Sequence, residues 1–291
     1  MNLLETRGPH RFGSWTVTQL VEWEGEAFPH DFLFPGIPAS DIRAASPSGV
    51  NSRLAENGMI ISSTQLFILR QADVVVLIEL GTGNGKARPA EPYWHHQHLP
   101  YLETLASLGI QPADVDYAFI SHLHVDHVGL ATTQKDGRWV PTFPRAKYVL
   151  HPGEWDYWHK IPADDPRWHP CLEDSVKPLV EAGCIQWVRD GESVAGIRVH
   201  EAVGHTPGNM VFEIEGSNLW FIGDLLHHPA QIARPDWLAA FFDIDQEMSI
   251  RQRQRYFKRL ADSSAVIFAV HLGNPFKVTE TAAGQFFARY D

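Results

Sequence analysis

A layered α/β fold is predicted by two observations: β-rich segments occur in both halves of the chain, and helical segments fall between them. Residues 59–80, MIISSTQLFILRQADVVVLIEL, read as two β segments broken at Gln71-Ala72-Asp73, which suits a hairpin turn. A glycine-rich loop follows, GTGNGKARPAEPYWHHQH, whose spacing matches neither dinucleotide nor P-loop fingerprints. A helix is expected around 98–108, with Leu99, Leu102, Leu105 and Leu108 on its apolar stripe and Gly109 at C′. VDYAFI forms the next strand, AKYVL (146–150) another, and GEWDYW opens a short helix. Residues 160–180, rich in Pro, Asp and Trp, read as an irregular insertion. Three strands are expected at 196–203, 210–216 and 218–224, the last two joined through Gly216-Ser217. A basic helix at about 247–261 then leads into a final buried strand, AVIFAV (265–270).

At 291 residues the chain is long enough for about two domains, but layered folds of this size are often one unit. A single domain over 1–291 is expected, with 23–57 as a lid or interface segment. No apolar stretch nears the roughly 20 residues that span a bilayer, and the N-terminus has no signal-like pattern, so a cytoplasmic protein without membrane contact is expected. Cys171 and Cys184 form no disulfide framework and read as free thiols. The formal charge of −11 argues against nucleic-acid binding. The one basic cluster, RQRQRYFKR at 251–259, reads as the solvated face of an amphipathic helix whose stripe is Ile250, Phe257, Leu260 and Ala261.

The chemistry concentrates in AFISHLHVDHVG, 118–129. His122 and His124 at the end of an extended segment point to the same side and can hold one metal. Asp126 and His127 are neighbours, so both can point inward only if the chain turns there, which Gly129 would help. Further ligand-type residues stand in the same layout. His205 lies in VGHTPGN, a loop stiffened by Pro207 with Gly208 permitting the turn; Asp224 follows the strand of WFIGD; His271 follows the strand of IFAVHLGNP. Strand ends of a twisted sheet line one edge, where loops gather to form sites.

This pattern resembles the metallo-β-lactamase superfamily, whose H-x-H-x-D-H motif stands here as His122-Leu123-His124-Val125-Asp126-His127. The resemblance runs from about residue 58 to 275. It implies a four-layer αββα sandwich of two mixed β-sheets and two divalent metal ions, usually Zn2+, with Fe, Mn or Co also found. It further implies that His122, His124 and His205 hold one ion and Asp126, His127 and His271 the other, with Asp224 bridging. One position departs from the family pattern: many members carry Asp in the loop after the early strands, where LIELGTG has Glu79. Supporting the ligands from there would require the longer side chain to take a different route.

Two metals in imidazole and carboxylate surroundings lower the pKa of bound water toward about 7 and polarise a carbonyl or phosphoryl oxygen. The implied reaction is attack of metal-bound hydroxide on a lactone or ester carbonyl, with Asp126 passing the proton to the leaving group. The segment from GDLLHHPAQ to VIFAVHLGNPF is similar to the branch containing N-acyl homoserine lactone lactonases and methyl parathion hydrolase. Lactonases of that branch often carry Tyr three residues after the bridging Asp; His227 stands there, as an oxyanion or substrate contact or as a structural imidazole. The expected substrate is a small ester or lactone with an apolar part. Alternatives are a phosphotriester or aryl ester hydrolase, or an iron-bearing redox protein on the same fold. Phe28, Phe32 and Phe34 can wall the substrate, cover the core or bury a homodimer interface, and Trp155, Tyr157, Trp158, Phe241 and Phe242 raise the same choice. His95, His96 and His98 lie outside the family pattern and are read as surface or rim.

Overall fold

Branched apolar residues dominate the hairpin strands 59–71 and 74–78, in the sheet that carries the histidine cluster. The computed structural model describes residues 3–47, 49–165, 170–239 and 241–290. The chain divides into two compact units, one of residues 1–22 and 65–188, the other of 23–64 and 189–291.

Seven strands, most of them in the first unit, form one sheet: β1 (Glu5–Phe12), β2 (Trp15–Pro29), β3 (Met59–Gln71), β4 (Val74–Ile78), β5 (Tyr117–Phe119) and, after a separate hairpin of β6 (Thr132–Lys135) and β7 (Arg138–Pro141), β8 (Lys147–Leu150) and β9 (Ile185–Trp187). Their order is β1-β2-β3-β4-β5-β8-β9. The β1–β2 and β3–β4 pairs are antiparallel, and β4–β5, β5–β8 and β8–β9 are parallel, so the sheet is mixed. The β3–β4 turn falls on Ala72-Asp73, as the sequence predicts, with Ala72 at φ 50°. Val76, Leu77 and Ile78 are all buried, as expected for a strand covered on both faces. Leu66, Ile68, Leu77, Ala118 and Ile120 share one core with Tyr101 and Leu105 of the helix Tyr101–Ser107 and Trp158 of the helix Pro152–Trp158.

Of the expected leucine stripe, Leu99, Leu105 and Leu108 pack on this core and Leu102 does not. The helix starts at Tyr101 rather than 98 and buries Tyr101, Thr104 and Leu105, leaving Leu102 exposed. Gly109 does take the left-handed conformation just past its end, at φ 71°. The 160–180 stretch is more regular than expected: residues 172–176 form a π-helical turn continued by the helix Lys177–Glu181, while 166–169 lie outside the described residues.

In the second unit β10 (Ser193–Val194), β11 (Ile197–Glu201), β12 (Met210–Ile214), β13 (Leu219–Phe221) and β14 (Val266–Phe268) lie in chain order. The first four pair antiparallel and β13–β14 parallel. The parallel pair needs a crossover, supplied by the helix Gln246–Ser263, whose first turn is capped by the Asp245 carboxylate accepting Met248 N–H at 2.9 Å. Tyr256, Phe257 and Leu260 pack this helix onto Trp220, Ile222 and Ile267. A last hairpin joins β15 (Lys277–Glu280) to β16 (Phe286–Arg289). Two mixed sheets with helices bear out the α/β fold class. The strands at both termini and β6, β7, β9 and β10 were not legible in the sequence; apart from the long β2 they are short, polar or both.

Among the described residues no helix is long and apolar enough to cross a membrane. Both cysteines are free thiols, as expected.

Candidate metal centre

In the first unit the ligand-type residues follow β5 directly. Ser121 to Leu123 follow without regular structure and His124 is extended, at φ −74° and ψ 158°; Val125–Val128 then make one helical turn with His124 as its N-cap. That turn solves the geometric problem the sequence posed, since residues 126 and 127 leave a helix about 100° apart rather than on opposite faces. Gly129 contributes otherwise than expected. Its backbone is ordinary right-handed, at φ −62°, but a Cβ there would lie 1.9 Å from Thr82 O. The glycine therefore permits close approach of the loop after β4, recorded by Gly129 N–H donating to Gly81 O and Leu130 N–H to Leu80 O, each at 2.7 Å.

His122 and His124 face each other through Nε2 and Nδ1 at 3.0 Å, and the His122 and His127 rings lie 4.1 Å apart. His122, Asp126 and His127 are buried. The Ser121 hydroxyl is 2.9 Å from His122 Nδ1. Glu79 supplies what the usual Asp would: its Oε2 lies 3.2 Å from His127 Nδ1 and accepts Ser121 N–H at 3.3 Å. The longer side chain reaches because Glu79 adopts the left-handed backbone, φ 61°, unusual for a residue with a Cβ. Beneath the motif, Glu154 accepts Leu123 N–H and Trp158 Nε1–H, both at 2.9 Å, and Trp158 packs edge-on to His124. Trp158 is thus a core residue supporting the motif. His95, His96 and His98 are exposed, as read.

In the second unit β13 and β14 end in register, Phe221 opposite Phe268. Asp224 and His271 each follow three residues later, and the carboxylate and imidazole Nε2 meet at 3.2 Å. His205 Nε2 lies 3.4 Å and His227 Nε2 3.1 Å from Asp224 Oδ2. Asp224, His227 and His271 present nitrogen or oxygen atoms within 4.8 Å of one another, an arrangement that could hold a metal ion. His205 is brought in by Gly204, at φ 136°, where a Cβ would strike Ser249 N at 2.4 Å.

The hydrogen bonds on the far side of two rings fix their tautomers. His271 Nδ1–H donates to the Ser63 carbonyl at 2.8 Å, and His205 Nδ1–H to Asp243 Oδ1 at 3.2 Å. A carbonyl and a carboxylate only accept, so each Nδ1 carries a proton, and in the neutral ring each Nε2 turns a lone pair toward the Asp224 carboxylate. Lone pairs facing a carboxylate at 3.2 and 3.4 Å call for a cation among them, and this donor set suits a borderline divalent ion such as zinc. Burial pushes the Asp243 carboxyl up, but the hydrogen bond from His205 and the charge of Arg253 outweigh it, leaving it below the ordinary carboxylate value. Burial holds His227 down against the pull of Asp224.

Comparison with known proteins agrees with this geometry. The family model of the metallo-beta-lactamase superfamily matches residues 62–271. The chain belongs to this superfamily. Among curated proteins, this superfamily member is 26% identical to the N-acyl homoserine lactonase AttM of Agrobacterium fabrum in an alignment of 172 positions that covers 54% of this chain and only 59% of that relative. Among solved structures it shares the fold of the hydrolase AbOPH (TM-score 0.76, 24% identity, 97% of this chain and 96% of the other). It also shares the fold of AidC, a dizinc quorum-quenching lactonase (TM-score 0.77, 18% identity, 99% and 97%).

Sequence reading missed Asp243, Glu154, Ser63 and Arg253 around the metallo-beta-lactamase motif residues. None carries a spacing signal; each is recognisable only by what it touches.

Proposed function

We propose that this protein is a dinuclear metal-dependent hydrolase acting on a small lactone or ester with an apolar acyl or aryl part. The observation that carries this is the Asp224 carboxylate ringed by three imidazole nitrogens at 3.1 to 3.4 Å, two of them with tautomers fixed by outer hydrogen bonds. In this reading His122, His124 and His205 hold one divalent ion, Asp126, His127 and His271 the other, and Asp224 both. Bound there, such ions supply a water acidic enough to act as a nucleophile at neutral pH and a Lewis acid for the carbonyl.

The chain's own residues do the rest. Glu79, Ser121 and Ser63 orient the rings. In this reading Asp126 receives the proton and delivers it to the leaving group. His227, kept neutral by burial, serves as a donor or acceptor to the substrate oxygen.

An apolar wall in the second unit supports the substrate class. Phe242 stacks on His227 at 5.0 Å, Phe28 and Phe32 pack on Phe242, and Phe241 stacks on Phe32 at 4.7 Å. Phe34 does not belong to it, being buried against Trp237 and His228 in the core. The segment 23–57 thus acts as a wall over His227. Flat aromatic faces accept an aryl group as readily as an acyl chain, so aryl esters and aryl phosphotriesters stand as the second reading.

The test is a panel of acyl lactones, aryl esters, phosphotriesters and thioesters, assayed after reconstitution with zinc, manganese or cobalt. Lactone or ester turnover that disappears with a chelator and returns with metal is the expected result. Stoichiometric iron in protein purified without added metal, together with oxygen uptake, would overturn it.

A further inference from the structure

The basic stretch of the helix Gln246–Ser263 hides one residue that is not basic surface. Its other arginines fit the solvated face the sequence predicts, but Arg253 is wholly buried. Its Nε–H donates to Pro235 O at 3.1 Å and Nη2 to Trp237 O at 3.2 Å, while Nη1 meets Asp243 Oδ2 at 3.3 Å. The other oxygen of Asp243 accepts His205 Nδ1–H at 3.2 Å. All these residues lie within the second unit, and the Asp243 side chain is 0% exposed.

Burying a guanidinium and a carboxylate costs several kcal/mol per ion before their attraction is counted, and an apolar pair of similar volume often does as well for stability. What an apolar pair cannot do is hold an imidazole. A carboxylate on Nδ1 fixes the ring's rotation and tautomer and raises the basicity of Nε2, and it can do so only while it is held in place. Arg253 holds it there. It also ties residues 235, 237 and 243 together, so Asp243, which directly follows Phe241 and Phe242, is anchored by the same side chain as residues 235 and 237.

We propose that Asp243, clamped by Arg253, is a positioning residue that sets the metal affinity of His205. This rests on the reading of His205 as a metal ligand, and the experiment separates the two.

Zinc affinity is measured on folded metal-free protein by competition with a chromophoric chelator, and the cobalt form is followed by its visible spectrum, for Asp243→Asn, Asp243→Glu, the double variant Asp243→Asn/Arg253→Met, and His205→Ala. Thermal unfolding of the metal-free proteins is followed in parallel. Asp243→Asn should weaken one zinc about 10- to 100-fold and shift the cobalt bands, with part of the affinity regained by Asp243→Glu. The double variant, which leaves no unpaired buried charge, should recover thermal stability yet keep the affinity loss. A folded double variant with parental zinc affinity and cobalt spectrum would overturn the positioning role while His205→Ala still loses zinc. If His205→Ala also binds two zinc ions with parental affinity, the ligand reading itself falls, and the proposal with it.

Discussion

Asp224 and His271 stand the same three residues beyond Phe221 and Phe268, which face each other in neighbouring parallel strands, and their side chains meet at 3.2 Å. The register of β13 on β14 therefore sets this pair. Because Asp224 is also within 3.4 Å of His205 and His227, it is the residue whose loss should do most damage. Asp224→Ala should reduce bound metal below two ions per chain and lower kcat/KM by well over the roughly 100-fold that outer partners command. Metal analysis after gel filtration, beside the rate on the best substrate, checks this; two retained ions with a near-parental rate would contradict it.

Glu79 faces His127, with Oε2 3.2 Å from Nδ1. Glu79→Gln keeps an acceptor for Ser121 N–H but replaces the carboxylate facing His127 with a neutral amide. Zinc affinity should drop by about 10- to 100-fold with KM little changed at saturating metal. A chelator titration that leaves the affinity untouched would assign Glu79 to backbone geometry alone.

His228 predicts how stability depends on pH. Its Nε2–H donates to Arg53 O and its Nδ1 accepts Ala230 N–H, each at 3.2 Å, and burial pushes the ring down from 6.5 to about 3. Between those values the unfolded chain binds the proton and the folded chain does not. The contribution is thus complete above pH 6.5 and shrinks as pH falls toward 3, by about 1.4 kcal/mol per pH unit. Urea unfolding of metal-free protein across this range should lose that part of its slope in His228→Gln. An unchanged slope would show that His228 is protonated in the folded state.

Gly129 is needed for space. The 1.9 Å approach of an added Cβ to Thr82 O cannot be relieved by a side-chain rotation, because the opposing atom is backbone. Gly129→Ala should destabilise the protein by roughly 3 kcal/mol or more, read from the urea midpoint. A loss under about 0.5 kcal/mol would mean that the loop after β4 moves aside freely.

The sequence alone showed the fold class, most of the strands and helices that carry the motifs, and all seven ligand-type residues, because each sits in a local pattern: an apolar run, then His or Asp. It also flagged His227 by its offset from Asp224. Tertiary structure alone decided which residues support them. Arg253 looks like any other arginine of a basic helix, and Asp243 like any loop carboxylate, until the pairing of residues 244 and 245 with 204 and 205 lays Asp243 beside His205. Glu79 looked like a departure until its left-handed backbone turned the longer side chain onto His127. Ligand types are written in local order because strand ends present them one by one. Their hydrogen-bond partners come from distant segments, and contacts across such distances leave no periodicity to read.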